Sequence, residues 1–418
     1  MDVVRRLGKE GHEALWAGGC VRDQLLGKLP KDYDVASTAT PEEVIQIFGR
    51  RRTVAVGASF GVVMVLGPDK SAGQIEVATF RSDGEYLDGR RPCSVSFCRP
   101  EEDAHRRDFT INGMFFDPLE EKFIDYVGGL DDLAAGIVRA IGDPVARFTE
   151  DKLRMLRAVR FTATFGFTLD AATADAVRHL RHQIRQVSEE RVTQELKRML
   201  SHSSRELSFR LLHESGLLAE ILPESFGTVG GTGEETVVAT ICQQLNYLES
   251  DEFETALMLV LLPLRQTNIG VKSTVAIDAV CRRLKLSNDE TECVCWLAES
   301  LAILDGIRGR LLHVLKPLLA HRYSERLLQA SAAIAAAESR PADDVKFCRD
   351  YLSMVNREDM CPAPFVNGQD LMALNVPQGP EFRVLLTTIR NEQLDEILTT
   401  RTAALERLRE LVNARTVG

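Results

Sequence analysis

The chain has 418 residues, 44% of them hydrophobic, with 61 acidic against 51 basic side chains and a formal charge of −10. That length exceeds what one core organises, so two to four domains are expected, and the acidic balance excludes a surface coated for indiscriminate nucleic-acid binding while leaving room for a local basic groove. No apolar run approaches a membrane span, and the first residues carry no charged lead into an apolar stretch, so neither a membrane anchor nor a secretory signal is expected. Nine cysteines without a C-x-x-C pair read as reduced thiols, and a cytoplasmic protein with no stable protein partner is expected.

Along the first 135 residues, strand-like runs over 14–17, 33–36, 62–66, 75–80 and 123–126 alternate with helical ones. Thr40-Pro41-Glu42-Glu43 predicts a helix start, with Thr as cap, Pro in the first turn and Glu closing a capping box. From residue 131 onward apolar side chains recur at helical spacing, as at Leu153, Leu156 and Val159, and the remainder is expected to be all-α. The glycines of FGTVGGTGEET (226–236) lack the Gly-Lys-Ser/Thr ending of a phosphate loop and read as a link between helices. Residues 331–338 form an Ala-rich helix, Cys361-Pro-Ala-Pro364 opens a last unit, and a final helix starts near residue 400.

Chemistry concentrates in a few segments. In Lys31-Asp32-Tyr33-Asp34-Val35 two carboxylates one residue apart project from one face of a strand and can share divalent ions, Mg²⁺ being the expected cofactor. Glu76 alternates with apolar Ile75 and Val77; it is either a third carboxylate on a neighbouring strand or an exposed strand residue. Gly18-Gly19, between a strand and a helix, offers backbone amides to phosphate oxygens, with Arg22 one turn in to reach a triphosphate and Asp23 to fix Arg22. That combination outlines a nucleotidyl-transfer site. In Arg106-Arg107-Asp108-Phe109-Thr110-Ile111-Asn112, Asp108 and Asn112 form an i,i+4 pair suited to ribose hydroxyls, with Arg107 beside them.

Asp151 and Arg154 are read as i,i+3 neighbours on one helix. A carboxylate accepts from the exocyclic amine of cytosine or adenine and a guanidinium donates to the adjacent ring nitrogen, whereas uracil and guanine oppose both, so the pair selects CTP and ATP without a template. Arg157 and Arg160, one and two turns on, are candidates to hold phosphates. The basic trio Arg178, Arg181 and Arg185 reads equally as RNA contact or as a solvated helix face laced with ion pairs.

The order GGCVRDQLLG, KDYDVAST, EVATFR, EEDAHRRDFTINGMFFDP, RFTEDKLRMLRAVRFTATFGF and SEERVTQELKRML resembles the class II tRNA nucleotidyltransferase and poly(A) polymerase family over about the first 200 residues, with a weaker likeness in FVNGQDLMALNVPQGPEF. The resemblance implies sugar recognition by the segment around Asp108, base reading by the E-D-x-x-R motif of Asp151 and Arg154, with Lys152 where relatives commonly have Pro, and a flexible loop over 80–92 tied to adenosine addition. It also implies an α+β chain: a nucleotidyltransferase head (1–135) with a mixed sheet, then a helical neck (136–200), body (201–355) and tail (356–418) that grip tRNA. CCA addition to the tRNA 3′ end from CTP and ATP is the expected activity. Enzymes adding only the terminal A, poly(A) polymerases and, more remotely, a silent nucleotide- or RNA-binding module remain as alternatives.

Overall fold

Period-two alternation in the first half builds a mixed sheet. In the computed structural model residues 1–57, 61–67, 73–84, 95–226, 232–264 and 273–416 are described. The chain divides into two compact units, 1–234 and 235–418, so the first holds the expected head and neck and the expected body is divided between them.

The first unit starts with α1 (Asp2–Lys9), β1 (Ala14–Ala17), α2 (Gly19–Leu25), β2 (Asp34–Ser37), α3 (Pro41–Phe48), β3 (Thr53–Gly57), β4 (Val62–Leu66) and β5 (Gln74–Thr79). A small hairpin of β6 (Arg81–Asp83) and β7 (Val95–Phe97) follows, then α4 (Pro100–His105), β8 (Phe115–Asp117), β9 (Lys122–Ile124) and α5 (Gly129–Ala135). Seven strands join in the order β3-β4-β5-β2-β1-β8-β9, with β2 and β5 the one parallel pair among them. Val35 and Val77 turn to one face and pack with Val4, Leu7, Val44 and Phe48 of α1 and α3. Leu15, Ala17 and Ala36 turn to the other, against Phe80, Ala104 and Phe115. At the start of α3, Glu43 Oε2 accepts from the Thr40 amide at 2.8 Å while Thr40 Oγ1 accepts from the Glu43 amide, which is the capping box read from the sequence.

The expected strands over 33–36, 75–80 and 123–126 are shifted by one residue or shortened, and β3, β6, β7 and β8 go beyond those expected. Each is completed by pairing with another strand, which local alternation does not encode. After α5 comes a two-residue strand β10 (Ile137–Val138), then α6 (Pro144–Glu150), α7 (Arg154–Phe165), β11 (Thr168–Leu169), α8 (Ala171–Leu180) and α9 (Glu189–Leu200). The parallel β10–β11 pair corrects the expectation that everything past residue 131 is helical.

The second unit is helical. Its central helix, Phe253–Leu261, is buried along nearly its whole length and packs against Asn288–Leu304 and Ser324–Ala337. Asn367 caps Gly368–Ala373 in a box with Asp370, and Leu371, Leu385, Ile389 and Leu408 close a small terminal core that includes the helix Arg401–Thr416.

Gly129 shows how tightly the first unit is built: a Cβ there would lie 2.2 Å from the Thr110 carbonyl oxygen and 2.7 Å from Met114. Gly129→Ala should therefore destabilise this unit by about 2–3 kcal/mol, the upper range for overpacking, read as a lowered denaturation midpoint with an unchanged slope.

Candidate active site

Asp34 opens β2 where its pairing with β5 begins, one residue before β1 joins at Val35, and its direct partner across the parallel pair is Glu76. Directly opposed residues share a face, here the one opposite Val35 and Val77. Asp32 lies outside the strand, exposed in the approach to it, which corrects the placement of both aspartates in one strand; ladder pairing begins only at Asp34, and Tyr33 is drawn instead against Trp16, with ring centroids 4.6 Å apart. The carboxylates still feel one another. Loss of water in the pocket wall pushes the Asp34 carboxyl up, Arg107 pulls it back, and Asp32 raises it again; Glu76 is raised by burial and then by Asp34.

Among the described residues no group of three or more His, Cys, Asp or Glu side chains is placed to hold a metal ion. The Asp34–Glu76 pair fits only the mode in which a small divalent cation takes one or two carboxylates and its other ligands from water and phosphate oxygens.

Gly18 has φ +73, which favours glycine, and a Cβ there would stand 3.1 Å from Arg107 Nη1. The Gly18 amide donates to the Met114 carbonyl at 3.2 Å, so it is a sheet contact rather than a bare phosphate donor; the expectation holds open only for the amides from Gly19 onward. Arg22 is more constrained than expected. Its Nε and Nη2 donate to Asp23 Oδ1 at 2.9 and 2.7 Å, Nη1 donates to Asn112 Oδ1 at 2.6 Å, and its guanidinium lies 4.5 Å from the Phe165 ring centroid.

Asn112 in turn donates to Asp108 Oδ1 at 3.1 Å, and Arg157 forks onto Asp108 Oδ2 through Nε and Nη2 at 2.8 and 2.6 Å. With the Phe109 amide also donating to Oδ1 at 2.8 Å, this carboxylate accepts four hydrogen bonds. Burial opposes its ionisation, but Arg157 and Asn112 hold its carboxyl down at about 2. Arg160 is likewise committed, donating to buried Glu195 at 2.6 Å. Arg157 and Arg160 are thus carboxylate partners in the wall of the site. Arg178 pairs with Asp175 and Arg185 with Glu220, while Arg181 donates to the Arg178 carbonyl at 2.6 Å.

Asp151 and Arg154 do not share a helix. Asp151 terminates α6 in an extended conformation, its side chain accepts from the Leu153 amide at 3.1 Å, and α7 begins at Arg154. A short acidic side chain bonding its own backbone two residues on competes with the helix and breaks it here. Their positions are set by other partners. Arg191 of α9 forks onto Asp151 at 3.1 and 2.8 Å, while Arg154 donates to Glu150 at 2.7 Å and to the Arg147 and Arg106 carbonyls at 3.0 and 3.2 Å. Arg191 has no role assigned from the sequence; only its place in SEERVTQELKRML hints at one.

These elements enclose a cavity of about 460 Å³ that gathers Gly18, Gly19, Arg22, Asp34, Arg107, Asp108, Asn112, Asp151, Arg154, Arg157 and Arg160, and adds Arg106 and Phe161. Asp32 and Glu76 stand outside its lining. Six arginines face three aspartates, so the wall is cationic in an acidic protein. A larger cavity, about 610 Å³, lies in the second unit among Thr240, Gln244, Leu259 and Ile334 and contains none of the expected site residues.

Residues 14–139 match a family described as the poly A polymerase head domain, and residues 166–226 one described as "Probable RNA and SrmB- binding site of polymerase A". The CCA-adding enzyme of Lactococcus lactis subsp. cremoris (strain MG1363) is 32% identical over 392 residues, 93% of this chain and 90% of its own. The chain belongs to the CCA-adding enzyme family. It is accordingly a tRNA nucleotidyltransferase. The CCA-adding enzyme of Bacillus velezensis is 40% identical over 222 residues, 53% of this chain and 54% of that one, so the chain spans about half the length of some relatives it matches. A crystal structure of the Bacillus stearothermophilus CCA-adding enzyme in complex with CTP superposes with a TM-score of 0.77 at 28% identity over 99% of this chain and 97% of that one. A Thermotoga maritima CCA-adding enzyme complexed with tRNA shares the fold, with a TM-score of 0.65 at 20% identity over 98% of this chain and 94% of that one.

Two charge arrangements yield opposite pH and ion responses. Asp108 is depressed in the folded state, so its contribution is complete above about pH 4 and is lost as pH falls toward 2, on the order of 2 kcal/mol that Asp108→Asn should remove from the acid-unfolding curve. Asp34 and Glu76 are raised, so they burden the fold at neutral pH. A divalent cation at millimolar concentration should raise the melting temperature of the wild type by a few degrees, roughly 1 kcal/mol for a unit of this size, and Asp34→Asn should melt higher without the cation and lose most of the response.

Proposed function

We propose that this chain builds the CCA end of tRNA by template-free transfer of CMP and AMP from CTP and ATP, with pyrophosphate leaving. The observation that carries the reading is the cavity in which an arginine-rich wall, the Asp34 strand edge and the Asp151/Arg154 break converge. A triphosphate needs just such a cationic wall beside a carboxylate edge. Mg²⁺ held at the Asp34 strand edge, with Asp32 or Glu76 beside it, would supply charge neutralisation on the triphosphate and a lowered pKa for the attacking 3′-hydroxyl.

The chain's own residues divide the remaining tasks. Arg107, whose Nη1 lies at Gly18, is placed to bind phosphate oxygens, with the amides that follow Gly18. Arg22, Asn112 and Asp108 form the ribose side, Asn112 presenting what its two bonds leave over. Asp151 and Arg154 read the base edge from the two helix ends, each steadied from behind, by Arg191 and Glu150. We retain the four-part division into head (1–135), neck (136–200), body (201–355) and tail (356–418), with the last two holding tRNA by shape and phosphates. We also place the enzyme in the cytoplasm, the compartment that suits its reduced thiols and its substrate. The loop over 80–92 lies outside the described residues from 85 onward.

Purified protein given tRNAs ending before C74, C75 or A76, with each labelled nucleotide supplied singly, tests the reading; incorporation of A alone would reassign it to terminal-A addition, and unlimited A tailing to a poly(A) polymerase. Asp32→Ala and Asp34→Ala should abolish incorporation while leaving the fold intact. Asp151→Ala should admit UTP and GTP, with discrimination falling by roughly 1–3 kcal/mol, while Arg154→Ala should weaken CTP and ATP together; retention of the wild-type preference by both would move base selection elsewhere. Deleting 83–91 should spare cytidine addition and impair adenosine addition.

A further inference from the structure

We infer that Asp103 of α4 is a positioning residue that sets the phosphate-side Arg107, the base-side Arg154 and the root of the β6–β7 hairpin from a single buried carboxylate. It is 1% exposed. Its Oδ1 accepts from Arg106 Nε and Nη2 at 2.9 and 2.6 Å and from the Arg81 amide at 3.2 Å; its Oδ2 accepts from Arg107 Nε and Nη2 at 3.1 and 2.9 Å. One carboxylate thus aligns two adjacent guanidiniums, each by a fork.

Each fork points at a different part of the site. Arg107, gripped by Nε and Nη2 and lying 5.0 Å from the Phe115 ring centroid, is left with Nη1 directed to Gly18. Arg106 donates from Nε to the Arg81 carbonyl at 2.9 Å, so both backbone groups of the first hairpin residue are fixed by this network. The Arg106 carbonyl then accepts from Arg154 Nη2 at 3.2 Å. Charge-assisted forks of this kind fix orientation as well as energy. Without the carboxylate, two adjacent cations would repel in a wall already rich in arginine.

The inference deepens the nucleotidyl-transfer reading and rests on it. Asp103→Asn keeps the shape and removes the charge; it should raise KM for CTP and ATP alike by about tenfold, with a smaller change in kcat, because Arg107 serves the triphosphate common to both. Asp103→Glu, which keeps the charge at the wrong reach, should fall between, at about threefold. Combined with Arg107→Lys, the Asn substitution should add little, since both act through one guanidinium. Unchanged KM values with loss confined to kcat in step with the folded fraction, or effects that multiply independently in the double variant, would make Asp103 merely structural and overturn the inference. If Asp103→Asn does not fold, wild-type KM values in Asp103→Glu overturn it as well. Wild-type protein that incorporates neither nucleotide would instead sink the nucleotidyl-transfer reading itself.

Discussion

The Asp108 carboxylate, largely withdrawn from water and accepting four hydrogen bonds, joins the sheet-bearing half of the first unit to its helices. Arg157 reaches it from α7, and Asn112 relays it to Arg22 on α2. A buried charge is costly unless every lone pair is met, and breaking such a pair costs more than forming it gains. The geometry of the site therefore follows from keeping this one group satisfied: α7 must lie close enough for Arg157 to fork, and that places Arg154, one turn earlier, at the cavity.

The same logic repeats around the cavity. Asp103 aligns Arg106 and Arg107, Glu150 and backbone carbonyls hold Arg154, Arg191 holds Asp151, and Glu195 holds Arg160. In water such side chains would sample many rotamers; tied in pairs they present fixed charge, and a polyanionic nucleotide meets a wall that needs little reorganisation. Excess positive charge is gathered in this wall in a chain of net charge −10, which favours a specific anionic ligand over indiscriminate attraction.

Much of this was legible in the sequence because it is encoded locally. Alternation gave β1 and β4 with their bounds, Thr40 and Glu43 gave the capped start of α3, and the spacing of Leu156 and Val159 gave the buried face of α7. The residues expected at the site also converge, apart from Asp32 and Glu76 at its margin. What local reading missed depends on competition between partners. Which carboxylate distant in sequence an arginine will pair with cannot be read from its spacing, and Arg157 with Asp108 and Arg160 with Glu195 are the cases here. Nor does i,i+3 spacing reveal that Asp151 will bond the Leu153 amide and end its helix.

The sequence by itself determined which residue types are available and in what order: carboxylates at 32, 34 and 76, the glycine at 18 that a positive φ requires, and an E-D-x-x-R segment beside arginines at helical intervals. Tertiary structure alone decided their states. Pairing in the parallel ladder set Asp34 against Glu76, leaving Asp32 outside the strand. The hydrogen bonds demanded by buried Asp103 and half-buried Asp108 dictated which guanidinium nitrogens are tied to carboxylates. The reason is physical: a charge removed from water must find its partner in three dimensions, and that partner is chosen by packing between segments far apart in the chain.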